Sequence, residues 1–123
     1  MVKIAYLDCA SGMSGDMTLA ALVDAGVPLE ALNEAIVSLG LDCRLVATEV
    51  RKKGFRALQI TVEHPPQHGH RHLHQIGSLI EQSGLTDRQK TTAVKIFTHL
   101  AEAEAKVHGT CVEKVHFHEV GAV

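Results

Sequence analysis

The chain reads as an α+β protein with the element order β-α-α-β-β-α-α-β. Three observations predict this. Residues 55–63 alternate strictly, with Leu58, Ile60 and Val62 on one face and Gln59, Thr61 and Glu63 on the other, the period of a half-buried strand. Residues 87–108 repeat apolar side chains at helical spacing. Gly26, Gly40 and Gly109 each follow a helical stretch, where a left-handed residue stops a helix.

Val2–Leu7 is a short apolar run, expected as a buried strand and broken by Ser11-Gly12-Met13-Ser14-Gly15. A helix is expected from an N-cap at Ser14 to Ala25, with Met17, Leu19, Ala20, Ala21, Leu22 and Val23 covering most of its surface, the pattern of a well-buried helix. Pro28 suits the first turn of a second helix, Leu29–Leu39. Arg44–Val50 and Phe55–Glu63 form a hairpin around Arg51-Lys52-Lys53-Gly54, and Pro65-Pro66 ends it. A third helix runs from about His72 to Gln82 with Leu73, Ile76, Leu79 and Ile80 on one stripe. Thr86-x-x-Gln89 is a capping box that opens Asp87–His108. At ~33 Å this helix is long for a small domain, so part of it is expected to meet another chain or domain. Val112–Phe117 is expected as a final strand. The skeleton β-α-β-β-α-β, with paired helices, is the split order of ferredoxin-like folds, an analogy that carries no function.

The 123 residues fit one domain, 1–123. With no Trp, one Tyr and three Phe, the core must be aliphatic. A net charge of −2 with neutral histidines gives no field that would favour nucleic acid. No stretch approaches the ~20 uncharged apolar residues of a membrane span. The run Ile4–Leu7 is too short for a signal peptide. Cys9, Cys43 and Cys111 form no CxxC pair and read as reduced thiols of a cytoplasmic protein.

Five of the nine histidines fall between His64 and His74: His64, His68, His70, His72 and His74. Imidazole is the commonest protein metal ligand. His70 and His74 are an i,i+4 pair if a helix begins early, and either an extended or a helical geometry suits Ni²⁺, Zn²⁺, Co²⁺ or Cu²⁺. The plain alternative is a solvated His-rich loop. Near the C-terminus, His116 and His118 point the same way in an extended segment, and Glu119 is a third ligand or a group that orients an imidazole. The alternative is a pair of surface histidines. At the other end, Asp8-Cys9-Ala10-Ser11-Gly12-Met13-Ser14-Gly15-Asp16 leads from a strand into a helix. Free N–H groups and glycines there suit a phosphate, and Asp8 with Asp16 suits Mg²⁺ or Mn²⁺. The alternative is a tight turn with a carboxylate favoured by the helix dipole. It is not a Walker A loop, since no Gly-Lys-Ser/Thr follows.

Three segments resemble the N-terminal region of the LarC family of nickel-insertion proteins. They are Tyr6–Met17, His70-Arg71-His72-Leu73, and His116–Val123, and they occur in order along the whole chain. The resemblance implies a cytoplasmic enzyme that inserts Ni²⁺ into pyridinium-3,5-bisthiocarboxylic acid mononucleotide, forming the nickel-pincer cofactor of lactate racemase. It also implies CTP hydrolysis with Mn²⁺ or Mg²⁺, and a longer protein whose C-terminal CTP-binding domain is absent here. This chain is then an N-terminal fragment, inactive alone. The expected partners are the nucleotide substrate, a C-terminal domain or separate C-terminal chain, and a second copy of the chain.

On this reading His116, His118 and Glu119, with His70 and His72, receive Ni²⁺. Asp8, Ser11, Ser14, Asp16 and Glu119 form the catalytic set, and Gly12 and Gly15 lie against the cofactor. The competing reading is a non-catalytic nickel or zinc reservoir, which would not need the Asp8–Asp16 loop. A metal-dependent phosphohydrolase using that loop is a third.

Overall fold

Hydrogen bonding along the backbone divides the chain into four helices, one hairpin and one short 3₁₀ turn. They are seen in a computed structural model that describes Val2, residues 4–66 and residues 71–117. The helices are α1 (Gly15–Asp24), α2 (Leu29–Ser38), α3 (Leu73–Gln82) and α4 (Asp87–His108); the strands are β1 (Arg44–Lys52) and β2 (Phe55–Glu63). The 3₁₀ turn is Val112–Lys114.

The local signals in the sequence act as expected. Ser14 caps α1, its hydroxyl accepting from the Met17 N–H. Thr86 and Gln89 form the capping box of α4, and Gly109 ends that helix at φ 63°. Lys53 and Gly54 both adopt positive φ, 50° and 87°, the requirement of a two-residue type I′ turn. That turn sets the antiparallel register Lys52↔Phe55 through Arg44↔Glu63, so β1 runs two residues past its expected end at Val50 and the turn is Lys53-Gly54 alone. Pro28 stands one residue before α2 as its cap instead of inside the first turn.

Two apolar clusters form the interior. In one, α1 and α2 pack on the hairpin around Ala20, Leu45 and Ile60. Asn33 ties α2 to β1 from both sides of one residue, accepting from the Leu45 N–H at 2.8 Å and donating to the Leu45 carbonyl at 3.2 Å. In the other, α3 and α4 enclose Ile76, Ile80, Ala101, Ala105, Val115 and Phe117. Leu39, the C-cap of α2, packs against this second cluster.

Both expected outer strands differ from expectation. The first run forms no strand in its described residues, and Ile4 and Tyr6 are each 89% exposed. A strand needs a ladder and a buried face, and these residues have neither. The last run begins as a 3₁₀ turn, with Lys114 bonded to Cys111 and Val115 to Val112, and then makes one bridge, Phe117 to Arg71. The sheet among the described residues therefore has two strands, and the four-stranded ferredoxin-like skeleton is not formed by them. Nor is α1 well buried: Ala20 is its one buried residue and Met17 is 54% exposed, because α1 leans on β2 along one side only.

Candidate metal centre

The entrance of α3 is stitched to the segment after α4. Phe117 N–H donates to the Arg71 carbonyl at 3.3 Å. His72, the N-cap of α3, has its own N–H held by Gln75 Oε1 at 2.8 Å. Its ring Nδ1 lies 3.1 Å from the Val115 carbonyl. With Nδ1 donating to this carbonyl, Nε2 keeps a lone pair for a metal; with Nδ1 accepting from the Gln75 N–H of the capping box, Nε2 carries the proton instead. Hydrogen bonds to the second ring nitrogen are how proteins orient imidazole ligands.

Burial explains the juxtaposition. Val115 and Phe117 are 4% and 2% exposed, and Phe117 sets its edge against Phe97 at 5.9 Å. With the extended backbone at Val115, alternation turns the intervening His116 outward. The His116 ring meets His72 with centroids 4.1 Å apart, and His74 stacks on His72 at 5.6 Å. Two of the five expected metal ligands, His72 and His116, are thus brought together. His70, His118 and Glu119 lie outside the described residues, as does His68. His74, expected as an i,i+4 partner of His70 but not among those five, stands beside His72 instead. Among the described residues, no three His, Cys, Asp or Glu side chains are arranged to hold a metal.

Cys43 is not a ready thiolate donor. Burial and the Asp42 carboxylate push its thiol pKa up, outweighing the opposing pull of Arg71.

The Asp8–Asp16 loop has a different character. Gly12 N–H closes a turn on the Cys9 carbonyl at 2.8 Å, with Gly12 at φ 78°. The Ser14 hydroxyl donates to Asp16 Oδ1. Thr18 Oγ1 donates to the Ser14 carbonyl at 2.7 Å. The Ser14 hydroxyl, then the Met17 N–H, hold the exposed Asp16 carboxyl below its usual pKa. Asp8, Ser11, Gly12 and Gly15 are exposed around this turn.

Two imidazoles in contact, with a third stacked on one of them, are the chemistry that the entrance of α3 presents. The chain belongs to the nickel insertion protein family, whose model matches residues 5–123. It is 50% identical over 123 residues to the pyridinium-3,5-bisthiocarboxylic acid mononucleotide nickel insertion protein of Desulfitobacterium hafniense (strain DSM 10664 / DCB-2), covering 99% of this chain and 31% of that protein. A Rhodopirellula baltica protein that bears the nickel-insertion name provisionally is 51% identical over 125 residues, covering 100% of this chain and 32% of that protein. The chain thus spans about a third of the length of these curated relatives. No solved structure matches it. No helix among the described residues is long and apolar enough to cross a membrane.

Proposed function

We propose that the chain serves nickel insertion into pyridinium-3,5-bisthiocarboxylic acid mononucleotide in the cytoplasm, yielding the nickel-pincer cofactor used by lactate racemase. The observation that carries this reading is the contact of the His72 and His116 rings, 4.1 Å between centroids, in a chain of the nickel insertion family. Nickel is here a substrate. His72 Nε2 and His116 receive Ni²⁺, and His70, His118 and Glu119, each within three residues of one of these two, are the candidates to complete the set.

Imidazole and carboxylate hold Ni²⁺ but exchange against the softer thiocarboxylate sulfurs of the nucleotide. Forming the nickel–carbon bond breaks a ring C–H bond, and the released proton passes to a base. His74, stacked on His72, or Glu119 serves as that base. Asp8, Ser11, Ser14 and Asp16, with Gly12 and Gly15, form the phosphate-facing turn. CTP and its Mn²⁺ or Mg²⁺ are assigned to sequence beyond the third of the relatives that this chain spans.

Replacing His72 and His116 together by Ala is expected to abolish the tight class of Ni²⁺ binding in a calorimetric titration; an isotherm that keeps that class overturns the assignment. Incubation with the nucleotide, Ni²⁺ and CTP, read by mass spectrometry, separates an inserting enzyme from a reservoir. A nickel-containing nucleotide marks the first, and bound Ni²⁺ without product marks the second.

A further inference from the structure

Glu104 and His108 stand one turn apart on the last part of α4, so their side chains share one helix face. Glu104 Oε2 lies 3.2 Å from His108 Nε2. Two donors each ~2.1 Å from one ion are ~3.0 Å apart at a right angle and ~3.4 Å apart at a tetrahedral angle. The observed separation falls between these values. A carboxylate only accepts, so the contact carries a proton on His108 Nε2; a metal ion displaces that proton to water on binding, the proton returns when the ion leaves, and the two donors are already spaced close to the bite of a chelate. Its position adds to this. The end of α4 is the negative end of the helix dipole, which favours a cation.

Beside this pair is a cleft of about 190 Å³ lined by His108, Thr110, Lys114, Val115 and His116. It connects the Glu104–His108 pair to His116, whose ring contacts His72. At that size it admits a hydrated ion, and it is smaller than the ~300 Å³ lower bound of pockets that hold a whole small-molecule ligand.

We propose that Glu104 and His108 form a second, solvent-facing capture site for a divalent transition-metal ion, and that this site passes the ion through the cleft to His116 and His72. The capture site stands on its own geometry; its role as an entry point rests on the nickel reading above. The transfer is a ligand exchange without redox change. The His116 imidazole displaces a water from the ion, the bonds to His108 and Glu104 then break, and the metal remains divalent throughout. Water fills the positions that the two protein donors leave open. Lys114, also in the cleft wall, is exposed on the short turn before Val115 and limits how long a cation resides there, as a transit site requires.

Calorimetric titration of the chain with Ni²⁺ alone tests this. The wild type is expected to show two classes of site, the weaker lost in His108→Ala and weakened about tenfold in Glu104→Gln, with the tighter class unchanged. Both side chains are on the surface, and an unchanged far-ultraviolet circular dichroism spectrum verifies the fold. In a parallel nuclear magnetic resonance titration with Zn²⁺, the His108 ring proton Hε1 is expected to shift in the wild type and in the His72→Ala/His116→Ala variant alike. Isotherms of Glu104→Gln and His108→Ala identical to wild type, or equal weakening of both classes, overturn the capture site. Loss of the weak class with retention of all binding in the His72→Ala/His116→Ala variant overturns the nickel reading instead.

Discussion

The turn at the start of α1 and the imidazole cluster at the start of α3 are both helix entrances, but they are built over different distances in sequence. Around α1 the partners of Ser14 are Asp16, Met17 and Thr18, so three hydrogen bonds fit within five residues. At α3, the His72 ring reaches across 43 residues to Val115, and Phe117 returns the bond to Arg71. The first arrangement needs only a helix beneath it. The second exists because Val115 and Phe117 are buried between α3 and α4, which fixes where His116 emerges. A site held by local bonds survives damage to the core; a site held by burial does not.

Phe117→Ala should expose this difference most strongly. Removing a ring that is 2% exposed is expected to cost about 3–5 kcal/mol and to weaken Ni²⁺ binding, because the anchor of His116 goes with it. Urea unfolding and calorimetry on the same sample check both effects; full Ni²⁺ affinity in a destabilised chain would break the link between burial and site. In the other half, Asn33→Ala leaves the Leu45 N–H and carbonyl without their side-chain partner. It is expected to cost about 1–3 kcal/mol with no change in Ni²⁺ affinity, since the Asn33 bonds join α2 to β1 only. A large affinity loss there would show that the two clusters act as one unit.

Thr86→Ala removes the hydroxyl that accepts from Gln89 N–H and should destabilise the chain by about 1 kcal/mol, again without effect on metal. The smallest expected effect is at the α1 turn and depends on pH. The Asp16 carboxyl titrates below its ordinary value because the Ser14 hydroxyl, chiefly, bonds its charged form. Its contribution to stability is therefore present above the unfolded carboxylate pKa of about 3.9 and is lost as pH falls through the lower folded value. Ser14→Ala should lower the melting temperature slightly near neutrality and by less as the pH is brought below that range. A difference independent of pH would mean that Ser14 acts only as the cap for Met17.

The elements that were legible in the sequence are those whose cause lies within a few residues. The α4 boundaries Asp87–His108 follow from Thr86, Gln89 and Gly109. The hairpin follows from Lys53-Gly54 and the alternation after it. The outer strands were not legible, because an apolar run such as Ile4–Leu7 becomes a strand only where an edge is available to pair with it, and run composition does not supply one. His72 and His116 could each be marked as ligand types from chemistry alone, but their contact could not. Glu104 and His108 stand four apart in a helix that the sequence already outlined, so their shared face was readable; their 3.2 Å separation was not.

By itself the sequence determined the helices, the hairpin register, the internally bonded turn at Asp16 and the surplus of imidazole, since caps, positive-φ turns and side-chain chemistry act locally. Which imidazoles meet, which carbonyl the His72 ring reaches and where a cleft opens beside His108 were decided by tertiary structure. All three depend on Val115 and Phe117 finding the interior between α3 and α4, and burial joins residues that spacing along the chain keeps apart.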